Sequence, residues 1–229
     1  MQRSWIKRQG YIAMRAVFRL TGIVFFQYRC FGREKIPSSG GALVCSNHQS
    51  MFDPAVVGMQ ANRRMNYLAR KSLFSLFPIG WLINFFGAIA IDRDGLGYAG
   101  LKQTLTRLRQ GEIVLLFPEG TRCHDGELQA LKPGVCALAR RAQVPLIPVG
   151  LDGPYQSWPR SRRLPGREVV RVVIGDPIGT EDIKRWNDDD LLAELQARIQ
   201  HCLLEARRSR HQSRRMGADN PLTRSSVPL

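Results

Sequence analysis

The sequence predicts an α/β fold: a mostly parallel central sheet flanked by helices, with an N-terminal interfacial amphipathic helical segment. Two observations point there. Short apolar runs such as "ALVCS", "EIVLLF" and "EVVRVVIG" alternate with helix-like segments along the chain, the pattern of a layered α/β domain. The first residues mix basic side chains with bulky apolar ones and contain no long apolar run, which suits a helix lying in a membrane interface.

Taken in order, residues 1–29 carry Trp5, Ile6, Tyr11, Ile12, Val17, Phe18, Leu20, Ile23, Val24 and Phe25 among several arginines and lysines. The uninterrupted run "GIVFF" is far short of the roughly 20 residues that span a bilayer. A helix packed on the domain's own core has a similar pattern; the positive charge favours the interface. "ALVCS" (42–46) reads as a buried strand, "DPAVVGMQA" (53–61) as a short helix and "MNYLA" (65–69) as a strand. The very apolar "SLFSLFPIGWLINFFG" (72–87) is interrupted at Pro78 and is expected mostly in the core, with some surface open to lipid. "AIAI" (88–91) is a strand, "YAGLKQTLTRLRQ" (98–110) an amphipathic helix and "EIVLLF" (112–117) a strand. "GVCALARRA" (134–142) reads as helix, and "PLIPVGL" (145–151) and "EVVRVVIG" (168–175) as strands. Pro148 is expected at a sheet edge or a bulge. A C-terminal amphipathic helix is expected over 190–208, and a basic, disordered tail over 209–229. The domains are therefore a membrane-interface segment (1–29), an α/β domain (30–208) and the tail (209–229).

Composition narrows the partners. The chain has 229 residues, 44% of them apolar, which suffices for one domain with its own core. Its 34 basic against 19 acidic residues give a formal charge of +15, pointing to a polyanionic surface, either nucleic acid or anionic lipid headgroups. The five cysteines show neither CxxC spacing nor clustering with histidine, so neither a disulfide framework nor a metal site is expected. No secretory signal is evident.

Four stretches carry chemistry. In "NHQSMFD" (47–53) the strand 42–46 delivers His48 near its carboxyl end, where open α/β sheets place their ligand sites. Asp53, followed by Pro54, sits where a helix N-cap belongs. A five-residue step can also fold its carboxylate back onto the imidazole, fixing the tautomer and stabilising the imidazolium. Taken alone, the pair reads more readily as a cap beside an incidental histidine. In "GAIAIDRD" (87–94) an apolar strand ends in charge, and Arg93 there suits a phosphate; alone, a solvated strand end explains it better. In "LLFPEGTRC" (115–123) Pro118 and Gly120 shape a turn whose N–H groups can converge on an anion, with Arg122 adding charge and Glu119 able to bind a hydroxyl or orient an arginine. The spacing is not that of a Walker motif. "VPLIPVGL" (144–151) reads as scaffold and possible groove wall.

In sequence and spacing these four stretches resemble the four conserved blocks of the glycerophospholipid acyltransferases, specifically the 1-acyl-glycerol-3-phosphate (lysophosphatidic acid) acyltransferases. The residues are NHQSMFD, GAIAIDR, FPEGTR and VPLIPV. Lys71 in "ARKSLF" and "LKPGVCALA" (131–139) also look like the family's linking segments, and the likeness covers about residues 25–180. One departure is Cys123, where the family usually has serine. The resemblance implies that His48 is a general base oriented by Asp53. It implies a direct attack by a glycerol hydroxyl on a fatty acyl thioester, with no acyl-enzyme, and Ser50 as a bystander. This agrees with the absence of a GxSxG elbow. Arg93, Glu119, Gly120, Thr121 and Arg122 would hold the acceptor's phosphate and glycerol, with Lys71 a weaker candidate. The implied partners are a lysophospholipid acceptor, an acyl-CoA or acyl carrier protein donor and an anionic membrane surface. No cofactor, metal or nucleic acid is expected, and the implied location is the cytoplasmic face of the cell membrane, peripheral or monotopic.

Two rival readings remain. Another acceptor, such as lyso-ornithine lipid or lysophosphatidylglycerol, fits the same motifs. A basic nucleic-acid-binding protein accounts for the charge but not for the His/Asp and FPEGTR blocks. The arginine-rich "RSRRLPGREVVR" (160–171) is open between contact with lipid or an acidic carrier and a plain solvated loop.

Overall fold

The structure, a computed structural model, describes residues 5–77, 79–91, 97–162 and 164–218. In chain order the elements are α1 (Trp5–Phe26), β1 (Arg29–Phe31), β2 (Ala42–Ser46), α2 (Asp53–Gly58), β3 (Met65–Arg70), α3 (Lys71–Phe74), α4 (Ile79–Phe86) and β4 (Ile89–Ile91). There follow α5 (Gly97–Arg109), β5 (Ile113–Leu116), α6 (Gly134–Ala142), β6 (Leu146–Asp152), α7 (Pro154–Ser157), β7 (Arg171–Ile174), α8 (Thr180–Arg185) and α9 (Asp188–Ala218).

The strands form one sheet in the order β1-β7-β6-β2-β5-β3-β4. All neighbours are parallel except β6 and β7, which are antiparallel. The α/β layering read from the sequence is the layering found. Period-two alternation splits each interior strand between two cores. Ala42 and Val44 of β2, Ile113 and Leu115 of β5, and Ile147, Val149 and Leu151 of β6 pack with Val56 and Val57 of α2. Leu43 and Cys45, Val114 and Leu116, and Leu146 face the other way, onto α6, α8 and α9. A strand apolar at every position is thus a strand covered on both faces.

Close approach of α9 depends on Gly150. A Cβ there would lie 2.2 Å from the Leu203 nitrogen and 2.3 Å from the Cys202 carbonyl carbon. Any larger residue would push the helix off β6. Pro148 stands in this interior strand rather than at an edge. The N–H and C=O of Leu146 pair with Ile178, and the Pro148 carbonyl accepts from the Gly175 N–H. Positions 146 and 148 therefore face the margin where the β6–β7 ladder has ended, the place where a missing donor costs least.

Three features differ from expectation. Arg29–Phe31, unmarked in sequence, pairs with Arg171–Val173 of β7, because the exposed edge of β7 supplies partners for a segment with little strand character of its own. Thr180–Arg185 forms a further short helix. Third, α9 runs past Ser209 to Ala218, so the tail expected to be disordered is helical over its first part. Arg210 is the reason: its Nε donates to Asp152 Oδ2 at 2.5 Å with both side chains buried. Arg214 pairs with Glu168, and Arg171 donates to Ser213.

Helix α1 is a single helix that turns an apolar row to solvent, with Leu20 64% and Val24 53% exposed. Its Arg15 guanidinium donates to the Ala61 carbonyl. Phe77, just before α4, is 91% exposed. Among the described residues no helix is long and apolar enough to cross a membrane.

Candidate active site

Parallel strands put their carboxyl ends on one edge of the sheet. The segments after β2, β3 and β5 therefore share that edge, which carries His48, Lys71 and Glu119 from distant parts of the sequence. Lys71 opens α3 and is exposed. Arg93 lies outside the described residues.

The chain leaves β2 at Ser46 and turns sharply before α2. The Asn47 side chain pins the turn to β6: its Nδ2 donates to the Leu151 carbonyl at 2.9 Å and its Oδ1 accepts from the Leu151 N–H at 2.7 Å. Asp53 is fully buried. Its Oδ2 accepts from the Gln49 N–H at 2.6 Å and the Ser50 N–H at 2.7 Å, and lies 2.8 Å from His48 Nδ1. A carboxylate only accepts, so Nδ1 carries the proton and Nε2 is left with a free lone pair. Asp53 is therefore not the helix cap its position suggests. It is the first residue of α2 rather than its N-cap, and it makes no capping bond. The turn doubles back tightly enough to offer two N–H groups and an imidazole to one oxygen. Ser50 donates to the Trp158 carbonyl at 2.9 Å and is fully buried, which makes it a turn residue.

The loop after β5 closes on the same histidine. The His48 N–H donates to Glu119 Oε1 at 2.6 Å, and the His48 carbonyl accepts from the Cys123 N–H at 2.8 Å. The Phe117 ring stacks on the imidazole, with centroids 3.9 Å apart and planes 15° from parallel. His48 is thus held through both backbone groups and one ring face. Its side chain remains 19% exposed, enough for a substrate atom to reach the ring. The other Glu119 oxygen accepts from the Gln129 N–H at 2.9 Å, so both oxygens are engaged internally. Burial raises its pKa to about 7, against the opposing pull of the Gln129 and His48 N–H groups. Held between the His48 and Gln129 N–H groups, the Glu119 side chain ties the two loops together.

Gly120 has φ +73°, and a Cβ there would lie 2.8 Å from both Cε and Nζ of Lys132. The left-handed backbone is what calls for glycine here; the Lys132 end is exposed and can move aside. The anion nest expected of this turn is partly used up, since the Gly120 N–H donates to the Phe117 carbonyl and the Cys123 N–H to His48. Cations carry more of the positive character. Arg122 is half-buried; burial lowers its pKa, the guanidiniums of Arg160 and Arg70 lower it further, and Asp53 opposes them. Arg122 therefore stands within electrostatic reach of the His48–Asp53 pair. Burial pushes the Cys123 thiol up to about 11, so it stays protonated at neutral pH. Of the residues singled out from sequence, His48, Asp53, Glu119, Gly120, Thr121 and Arg122 converge. The roles of Phe117 and Asn47 were not legible there, because neither residue type announces a contact across the sheet. Among the described residues no group of three or more His, Cys, Asp and Glu could hold a metal ion.

Known proteins share this arrangement of chain. The acyltransferase family profile matches residues 27–152, more than half of the chain. The 1-acyl-sn-glycerol-3-phosphate acyltransferase of Bacillus subtilis (strain 168) is 27% identical over 80% of this chain and 87% of its own length. The 1-acyl-sn-glycerol-3-phosphate acyltransferase alpha of Bos taurus is 35% identical over 82% of this chain and 65% of its own length. The crystal structure of the 1-acyl-sn-glycerophosphate (LPA) acyltransferase PlsC from Thermotoga maritima superposes with a TM-score of 0.75 at 23% identity. That superposition covers 90% of this chain and 83% of the other, a likeness of fold. By the profile match and these relatives, the chain belongs to the acyltransferase family.

Proposed function

We propose that this acyltransferase moves a fatty acyl group from a thioester donor, acyl-CoA or acyl carrier protein, to the sn-2 hydroxyl of 1-acylglycerol-3-phosphate, giving phosphatidic acid for phospholipid synthesis. The observation that supports this best is the pairing of a charge-backed imidazole, His48 on Asp53 at 2.8 Å, with guanidiniums on the adjoining turn.

In this reading His48 Nε2 takes the proton of the sn-2 hydroxyl as that oxygen attacks the thioester carbonyl. The imidazolium so formed is stabilised by Asp53 and by the stacked Phe117 ring. The tetrahedral intermediate collapses, the carbon–sulfur bond breaks, and the departing thiolate takes the proton back from Nε2. No covalent enzyme intermediate is needed, which accords with the burial of Ser50 and the protonated Cys123. Arg122, at the Gly120–Thr121 turn, binds the acceptor's phosphate, with Lys71 at the same sheet edge contributing charge. Arg93 keeps the acceptor-binding role that the family resemblance implies. Glu119 acts as a positioning residue through His48 and Gln129.

Residues 1–29 are the membrane-binding segment in this reading, and residues 30–208 the acyltransferase domain. The exposed row on α1 supports this reading: it would lie among acyl chains while the basic residues meet anionic headgroups, with the enzyme peripheral on the cytoplasmic face. Mass spectrometry of products formed by the purified protein from lysophosphatidate and each donor type tests the proposal. Phosphatidic acid should appear with a stoichiometric free thiol; its absence with every donor would refute the assignment.

A further inference from the structure

The basic stretch that begins at Arg160 is neither wholly solvated nor directed away from the site. Its leading residue sits on the turn after β5. Arg160 Nη2 donates to Thr121 Oγ1 and to the Arg122 carbonyl, each at 2.6 Å, and Nη1 lies 3.5 Å from His124 Nε2. The segment bearing Arg160 is fastened to the catalytic turn: the Tyr155 N–H donates to Gln49 Oε1 at 3.3 Å and Ser50 donates to the Trp158 carbonyl at 2.9 Å. The Tyr155 hydroxyl donates to the His124 carbonyl at 2.7 Å, and the Trp158 ring rests against Phe52, centroids 6.1 Å apart. Arg160 is therefore positioned relative to His48 by residues one and two places further along the chain.

Its partners are a hydroxyl, a carbonyl and an imidazole, none of them a carboxylate. It remains exposed, and a guanidinium has five N–H donors. Arg160 holds the Arg122 carbonyl, and its guanidinium helps burial lower the pKa of the Arg122 side chain. Two guanidiniums at one turn, with the Asp53 oxygen already taken by His48, Gln49 and Ser50, are best satisfied by a ligand that brings two negative charges. A phosphomonoester carries about −1.5 to −2 at neutral pH, whereas a phosphodiester carries only one. Planar, forked donors also match phosphate oxygens better than an ammonium does.

We infer that Arg160 is an acceptor-specificity residue. With Arg122 it forms a two-guanidinium site for the terminal phosphomonoester of the acceptor, and it selects lysophosphatidate over lyso-phosphodiesters. The inference rests on the acceptor reading given above and adds the charge discrimination to it.

Steady-state kinetics of the full chain and its Arg160→Gln and Arg160→Lys variants test this, with lysophosphatidate and lysophosphatidylglycerol as substrates or competing inhibitors. Arg160→Gln should raise the KM for lysophosphatidate by about tenfold or more, the size of one lost charge-assisted contact. Its kcat and donor KM should hold, and the constant for lysophosphatidylglycerol should move little. Arg160→Lys should recover part of the loss. An equal loss for both acceptors would make Arg160 a mere pin for the turn. A shift in donor KM instead would make it a contact for the donor's anionic carrier. Either result, or unchanged kinetics, overturns the inference. If the wild type acylates neither acceptor, the proposed function fails on its own. Calorimetric titration with glycerol 3-phosphate then decides the present point, since equal or absent binding in wild type and Arg160→Gln would refute it.

Discussion

Replacing Asp53 by Asn keeps the shape of the turn and removes its charge. In the wild type one buried oxygen receives the Gln49 and Ser50 N–H groups and His48 Nδ1, all within 2.8 Å. The Asn carbonyl can occupy that point and accept the same three donors, so the tautomer that leaves Nε2 free is retained. What disappears is the attraction between the carboxylate and the imidazolium formed during proton transfer. Two unit charges about 4 Å apart at an effective dielectric near 20 attract by about 4 kcal/mol. At about 1.36 kcal/mol per decade, turnover should fall by roughly three orders of magnitude. The charge-assisted bonds from Gln49 and Ser50 weaken as well, by about 1 kcal/mol each. For a chain of this size the melting temperature should then drop by about 4–8 °C. Thiol release, followed continuously with saturating lysophosphatidate, reads the first effect, and calorimetry the second. A variant within about tenfold of wild-type turnover would show that proton transfer in the rate-limiting step does not pass through a charge-stabilised His48.

Three further outcomes follow from the geometry. Arg122→Ala should raise the acceptor KM by roughly 10- to 150-fold, the worth of a charge-assisted contact of about 1.5–3 kcal/mol; loss confined to kcat would contradict a binding role. Glu119→Gln leaves one of the His48 and Gln129 N–H groups without an oxygen. The lost bond should lower the melting temperature by roughly 3–10 °C. Because burial holds the Glu119 carboxyl up at about 7, above its unfolded value, the folded state binds the proton more tightly. Wild-type stability from this group is therefore full at acid pH and lost as pH rises to about 7. The Gln variant should lack that component of the slope, and identical pH profiles would refute the assignment. Leu20→Gln with Val24→Gln, one turn apart on the exposed face of α1, should weaken binding to phosphatidylglycerol vesicles by more than about tenfold. Unchanged sedimentation with the vesicles would remove α1 from the membrane contact.

What the linear sequence settled was the kind of each piece. Runs such as residues 42–45 and Ile113–Leu116 are apolar at every position and too short for a buried helix, which points to a strand buried on both faces. The resemblance of the motif blocks to the acyltransferase family singled out His48 and Asp53, a pair that taken alone reads more readily as a cap beside an incidental histidine. Tertiary structure settled the tasks of the charged residues. Glu119 meets the backbone of His48 from 71 positions away, and Arg160 meets Thr121 from 39. Neither separation follows any helix or strand period, so a one-dimensional pattern holds no trace of either contact. The register of β2 on β5 and β6 is what aligns their loops. It also sets the Glu119 carboxyl between two backbone N–H groups and brings an arginine from an ambiguous loop onto the turn after β5. The helical course of α9 beyond Ser209 has the same origin: a polar, arginine-bearing sequence stays ordered because Asp152, itself buried by the sheet, leaves Arg210 a partner that water cannot replace.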